Sequence, residues 1–353
     1  MERNTVQRKK LRVGIIGLGI ISDAHVEGCA AMRDIAEVVA VCDIDEPKAR
    51  QVADRFGAAV YTDYRRLIDD ADVDVLDIIL PHNLHYPVTL YALERGKHVL
   101  LEKPLTVDPD EGLALIEAAR AGGMQFSVAE NTRFVTAYLE AEKLLREGAL
   151  GDIYLIRTLI AGSELDRLVN PHPWKASRAG SGGGVIMDAS PHTFYLLKWL
   201  FGEIESLQAF ASQRVAASEV EDGALIVGRM TSGAEFTLQF SFTALIPWTE
   251  RLEIYGSKAA LIIDQIARPP AVLYTGSEDF HGTPLEAVPY DPAGWKHKSI
   301  VAEVKDFLQT VWDGGTPKVD PGDAHYGLLA IRAAYQSAQS GSRVVLPRPV
   351  ALA

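Results

Sequence analysis

From residue 11 to residue 129, short apolar runs alternate with stretches of helical patterning, and this alternation limits the possible folds more than any other feature of the chain. The runs 11–16, 38–42, 59–61, 73–80, 97–102 and 125–129 read as strands, several of them without the polar alternation of a half-exposed sheet. Helical stretches over 23–32, 47–56, 64–68, 109–121 and from 81 toward 95 separate them. Strands alternating with helices predict a parallel sheet covered on both faces. Open sheets of this kind take ligands beyond the carboxyl ends of their strands, so the residues that follow each run are the first candidates for function.

The first run ends in Gly17-Leu18-Gly19-Ile20-Ile21-Ser22 and continues into a helix. Gly17 suits the tight turn and Gly19 lets a pyrophosphate approach the backbone. The helix amino end that Ile20 and Ile21 lead into offers N–H groups and partial positive charge. Ser22 replaces the third glycine of such turns but is small enough for close helix packing. The next run ends in Asp43, 21 residues after Ser22, close to the spacing of about 20 expected of a carboxylate that binds ribose hydroxyls. That carboxylate repels a 2′-phosphate, and Ile44 and Asp45 after it supply no compensating arginine, so the expected cofactor is NAD, with NADP disfavoured. Two later runs end in Pro81-His82-Asn83-Leu84-His85 and in Glu102-Lys103-Pro104, which would face the nicotinamide half. Read locally, His82 and His85 are equally surface residues of a helix start, and Glu102-Lys103 a solvated ion pair.

Past residue 131 the texture changes. After a helical stretch over 136–148, strands dominate, with Ala234, Phe236, Leu238, Phe240 and Phe242 on one face and Glu235, Thr237, Gln239 and Ser241 on the other. Period-two alternation predicts an antiparallel sheet with one packed and one more polar face, joined by companions over 153–160, 224–230, 251–255 and 259–263. Turns at 231–233 and 256–257 suit hairpins. A sheet this wide needs cover, so self-association through it is expected. Between the first two of these strands, Gly182-Gly183-Gly184 opens a stretch holding Asp188 and His192 and closed by Gly202. In one continuous helix the two would stand one turn apart, the carboxylate orienting the imidazole of a general acid/base. The same pair also reads as a helix-surface contact, and no third ligand joins it, so no metal is expected.

The 353 residues suit two domains, placed at 1–131 and 132–353. A net charge of −12 disfavours nucleic acid and anionic membranes as partners. The two cysteines, Cys29 and Cys42, form no metal or disulfide pattern and fit a reducing cytoplasm. Residues 1–10 read as a basic leader without a cleavage site, and no run reaches the ~18 apolar residues of a membrane span.

Taken together, Gly17-Leu18-Gly19, Asp43, the 81–85 segment, Glu102-Lys103-Pro104, Asn131-Thr132-Arg133-Phe134 and the stretch from Gly183 to His192 resemble, in that order, the Gfo/Idh/MocA family over nearly the whole chain. The resemblance implies an NAD(P)-binding Rossmann domain followed by an α/β domain with a large open sheet, assembled as a homodimer or homotetramer through that sheet. It implies Lys103 as the catalytic lysine, His192 as the acid/base, Asp188 as the partner of His192, and Glu102 and Asn83 near the nicotinamide ribose. Tyr195 departs from the acid many members carry there. The expected substrate is a sugar, sugar derivative or cyclic polyol, contacted by Lys103, Arg133, Asp188, His192 and the polar 163–178 loop, where Glu164, Asp166, His172, Trp174 and Lys175 stand. The alternatives are a reductase of an imine, dihydrodiol or tetrapyrrole, or a non-catalytic regulator on the same fold.

Overall fold

The computed structural model describes residues 9–169, 174–215, 217–276, 278 and 281–347, so His172 of the polar loop lies outside the described residues. The first part of the chain runs through β1 (Leu11–Ile16), α1 (Ser22–Ala31), β2 (Ala36–Cys42), α2 (Glu46–Ala53), β3 (Ala59–Tyr61), α3 (Tyr64–Asp70), β4 (Val75–Ile78), α4 (His82–Leu93), β5 (His98–Glu102), α5 (Pro109–Gly122) and β6 (Phe126–Ala129). Its six strands are all parallel, in the order β3-β2-β1-β4-β5-β6. The order reverses between β1 and β4, which opens a crevice at their carboxyl ends. Three of these five helices, α2, α3 and α5, start where a short polar side chain satisfies a free amide: Asp45, Asp63 and Asp108 accept from Lys48, Arg65 and Asp110 N–H groups, with Pro47 and Pro109 in the first turns.

The chain continues through α6 (Thr136–Arg146), β7 (Ile153–Ala161), α7 (Leu165–Val169), α8 (Arg178–Ser181), α9 (Val185–Asp188), α10 (Ser190–Phe201), β8 (Ile204–Ser212), β9 (Gly223–Met230), β10 (Glu235–Ser241), β11 (Thr249–Gly256), β12 (Ala260–Asp264), β13 (Ala271–Tyr274), β14 (Thr283–Pro284), α11 (Trp295–Asp313), α12 (Pro321–Ser340) and β15 (Val344–Val345). The second sheet has nine strands in the order β14-β13-β12-β11-β7-β10-β9-β8-β15, antiparallel except where β7 meets β10. The alternation in β10 plays out as expected: Phe236, Leu238 and Phe240 are buried, and Glu235, Thr237 and Gln239 face outward. Their cross-strand neighbours extend an open face that carries Arg157, Leu225, Val227, Arg251 and Glu253.

Two features go beyond the sequence reading, which assigned no element after residue 263. Helix α11 returns to the first sheet, where Val304, Phe307, Leu308 and Val311 join the core of Val13, Ile15, Val26 and Val41. Residues on both sides of position 131 therefore build one core. Secondly, the stretch after the glycines is not one continuous helix. Pro191 has no N–H to bond the preceding turn, and α9 ends at Asp188 before α10 restarts at Ser190.

Candidate active site

The turn between β1 and α1 has the shape a dinucleotide requires. Gly17 has φ +95°, and a Cβ there would lie 2.1 Å from the Ile79 carbonyl oxygen, so only glycine fits. At Gly19 the place of a Cβ is open, with no atom within 4 Å. Asp43, half-buried at the end of β2, accepts the Leu18 N–H at 2.7 Å and the Asp45 N–H at 2.8 Å, which ties the carboxylate to the glycine turn. Ile20 is exposed on the turn's outer side and Ile44 beside Asp43. An open glycine cradle, a carboxylate at its edge and two uncovered aliphatic side chains fit NAD.

At the other strand ends the residues sort themselves by depth. Glu102 is buried, with His25 Nε2 3.2 Å from one oxygen and the Lys103 N–H donating to the other at 3.0 Å. Asn83 is exposed at the start of α4, and Pro81 stands half-buried just before it. His85, expected among the cofactor contacts, is corrected: it is fully buried, and its two ring nitrogens lie 2.6 Å from the Pro104 oxygen and 2.8 Å from the Leu80 oxygen. It clasps the 80–85 segment to the Lys103-Pro104 segment and has no nitrogen left for a ligand.

Lys103 donates to the Asp188 carbonyl at 2.8 Å and to its carboxylate at 3.0 Å. Lys175 donates to the second carboxylate oxygen at 2.6 Å, and His82 Nε2 stands 3.6 Å from the first. Burial, the largest single influence on Asp188, favours its neutral form, but the two ammonium groups and His82 outweigh it and hold the carboxyl well below the usual range. Burial likewise works against the charge on Lys103, yet the carboxylates of Asp188 and Glu102 win and raise its pKa, so the lysine is an ammonium. His82, weighed as a surface residue, is buried instead, with Nδ1 on the Ser181 carbonyl at 2.9 Å and its ring edge-on to Trp174 at 4.7 Å. Desolvation pushes its pKa down, against the opposing pull of the Asp188 carboxylate.

The expected pairing of Asp188 with His192 is also corrected. With the helix broken at Ala189, Asp188 turns to the lysines, and His192 Nδ1 meets Glu130 Oε1 at 2.5 Å. Glu130 follows β6 and opens a 3₁₀ turn (Asn131–Phe134), where its carboxylate also accepts the Thr132 hydroxyl at 2.5 Å. Arg133, expected to touch substrate, stacks on Trp199 at 3.9 Å and pairs with Glu142 at 3.4 Å, so its guanidinium is engaged within the second half of the chain. Sequence reasoning missed Glu130, and it left His82 open between the nicotinamide side and a surface helix start. The signal for Glu130 was present, since Asp43, Glu102 and Glu130 each stand at or directly after the carboxyl end of a buried parallel strand.

Comparison with known proteins identifies the family of the chain. The sequence profile described as "Oxidoreductase family, NAD-binding Rossmann fold" covers residues 11–130, and that of the "GFO/IDH/MocA C-terminal domain" covers residues 138–262. The chain is 27% identical to the myo-inositol 2-dehydrogenase of Thermotoga maritima, over 95% of this chain and 98% of the relative. It is 31% identical to the dTDP-3,4-didehydro-2,6-dideoxy-alpha-D-glucose 3-reductase of Streptomyces violaceoruber, over 74% and 75% respectively. The solved structure of a levoglucosan dehydrogenase in complex with NADH and levoglucosan superposes with a TM-score of 0.85 at 26% identity, covering 96% of this chain and all of that one. From the glycine turn to the helix of His192, the chain belongs to the Gfo/Idh/MocA family of oxidoreductases.

Proposed function

We propose that this protein is an NAD-dependent dehydrogenase that moves a hydride between a secondary carbinol of a sugar, sugar derivative or cyclic polyol and the nicotinamide, with Lys103 and His192 serving the same substrate hydroxyl. The observation that carries the reading is the bond from Lys103, at the end of a first-sheet strand, to Asp188, four residues before His192. It draws an ammonium and an imidazole from the two halves of the chain to one cleft. The named activities of its relatives on inositol, levoglucosan and a dideoxyglucose support the same substrate class.

Gly17, Gly19, Ile20, Ile21 and Asp43 would hold the adenosine and pyrophosphate end of NAD; Pro81, Asn83, Glu102 and Lys103 stand toward the nicotinamide. Bound NAD supplies the hydride acceptor. Two of the three Lys103 N–H groups are taken by Asp188, and the third is free to donate to the substrate oxygen. Because the lysine stays protonated, its work is to stabilise negative charge developing on that oxygen. Glu130, by accepting from Nδ1 of His192, leaves Nε2 to take the hydroxyl proton during oxidation and return it during reduction. Asp188 keeps the Lys103 and Lys175 charges together without mutual repulsion, and Trp174 and Lys175 offer a ring face and an ammonium to the rest of a polyhydroxylated substrate.

The open face of the second sheet is read as the surface for a second copy. Phe210, Leu225 and Val227 are 59%, 38% and 37% exposed on it, beside the Arg157–Glu253 ion pair at 2.8 Å. Contiguous apolar area rimmed by charge marks an interface. Light scattering at micromolar concentration is expected to give a dimer or tetramer, and Val227→Glu to shift it toward monomer; a monomeric parent protein removes the sheet interface. Among the described residues no helix is long and apolar enough to cross a membrane, and Cys29 and Cys42 are free buried thiols, in keeping with a cytoplasmic setting.

The direct test is hydride transfer by purified protein on a panel of inositols, aldoses, anhydrosugars and glycosides, with NAD and NADP in parallel. Turnover of at least one polyol, at higher kcat/KM with NAD, is expected. No turnover across the panel, or equal efficiency with NADP, overturns the substrate class or the role of Asp43 respectively.

A further inference from the structure

Below Glu102 lie buried ionisable side chains that the reaction leaves unused, and they form one group with it. His25, Asp77, Glu102 and Glu303 are 0%, 2%, 6% and 3% exposed, and they come from α1, β4, β5 and α11. Close helix contact brings His25 and Glu303 together: a Cβ on Gly28 would lie 2.6 Å from Val304 Cβ, so α11 can press against α1 only over a glycine. His25 Nδ1 sits 3.0 and 3.1 Å from the two Asp77 carboxylate oxygens. In the neutral ring, Nδ1 donates to them and Nε2 presents its lone pair to Glu102 Oε1 at 3.2 Å. Two acceptors facing each other at that distance need a positive species between them, either a proton or a metal ion. Independently, both carboxylate oxygens of Glu303 lack any hydrogen-bond partner although the residue is buried. One ligand atom from each of His25, Glu102 and Glu303 lies within 4.8 Å of the others.

We propose that His25, Glu102 and Glu303 bind a divalent transition-metal cation of the Zn²⁺ or Mn²⁺ type, with Asp77 orienting the imidazole from behind. One nitrogen and two carboxylate oxygens are a donor set such ions accept, and a carboxylate on the far nitrogen of a ligating histidine is the usual outer partner. Bonds of about 2.1 Å place tetrahedral ligand atoms about 3.4 Å apart, so the cluster must contract by roughly an ångström, within reach of side-chain rotation. A dication offsets two of the three buried carboxylate charges and gives Glu303 the partner it lacks. Its role is structural: it joins α11 to α1 and to the end of β5, and it fixes Glu102, whose other oxygen holds the Lys103 backbone N–H.

The test uses the full chain freed of metal by chelator and titrated with Zn²⁺ and with Mn²⁺ by calorimetry, with melting temperature followed in parallel. One equivalent per chain of at least one ion is expected to bind and raise the melting temperature. Glu303→Gln should weaken that binding at least about 100-fold, and Asp77→Asn about 10- to 100-fold. The rival arrangement has protons on His25 and Glu303 in place of the ion. It predicts no saturable binding of either ion, and that result overturns the proposal, as does stoichiometric binding that Glu303→Gln leaves unchanged. If Glu303→Gln does not fold, His25→Gln is read the same way, and the parent titration decides without any variant. None of these readouts depends on the sugar-dehydrogenase activity.

Discussion

Glu130 and Asp188 divide between them the work one carboxylate was expected to do, and single substitutions separate the two. Glu130 touches His192 and leaves the lysines alone, so Glu130→Gln should lower kcat by about 10²- to 10⁴-fold, the range for a disturbed acid/base, with NAD affinity little changed. Glu130→Asp should recover part of the loss, since it restores the charge at a longer reach. Equal damage from both variants would reduce Glu130 to a packing residue. Asp188 is the largest of the influences that raise the pKa of Lys103, opposing burial, which lowers it. Removing its charge in Asp188→Asn leaves burial less opposed, so the lysine pKa falls and the ammonium is lost at lower pH. The alkaline limb of kcat/KM should therefore move toward neutrality, and a limb unmoved from that of the parent protein would refute the assignment of Lys103 as the charge that stabilises the alkoxide. Both roles were half-legible in the sequence. Lys103 and His192 stood out by residue type and by resemblance, but which acid serves which base depends on where a helix breaks, and Pro191 sends Asp188 away from His192.

The element that places these groups is the glycine-opened turn leading into α9 and α10. Its free amides are capped from a distance by Glu221, whose buried carboxylate accepts the Gly184 N–H at 3.0 Å, the Ile186 N–H at 3.1 Å and the Tyr335 hydroxyl at 2.8 Å. The approach is so close that a Cβ on Gly184 would lie 1.7 Å from the Glu221 carbonyl oxygen. Gly184→Ala must therefore push α9 off β9 and carry Asp188 and His192 with it. A loss of about 2–3 kcal/mol in urea unfolding, with a drop in kcat, is expected from overpacking of this kind. Unchanged stability would show that the turn has more slack than its contacts indicate. The glycine run itself was plain in the sequence, whereas its reason was not, because Glu221 and Tyr335 reach it from distant parts of the chain.

At the scale of the whole molecule, the parallel sheet, the glycine turn with Asp43 and the alternating sheet were legible because each rests on a local period or spacing. What could not be read were contacts that only closure of the chain creates: α11 returning to α1, His25 and Glu303 meeting below Glu102, and His82 buried between Ser181 and Trp174. The same closure makes the site. Lys103 directly follows a strand of the parallel sheet and His192 lies in a helix of the second half, 89 positions further along the chain. Neither half holds both groups, so joint action of the two, as proposed, would report the assembly of the two sheets around one cleft. Lys103→Ala and His192→Ala should each reduce turnover by about 10²- to 10⁴-fold. If the ammonium stabilises the same oxygen whose proton the imidazole removes, the two losses belong to one event, and the double variant should fall well short of their product. NAD affinity, set at the Gly17 and Asp43 end, should hold in all three variants, measured by cofactor titration alongside single-turnover rates. Losses that multiply fully would mean that the two residues act on separate steps, and Lys103 would then be reassigned from the reacting oxygen to the positioning of the cofactor.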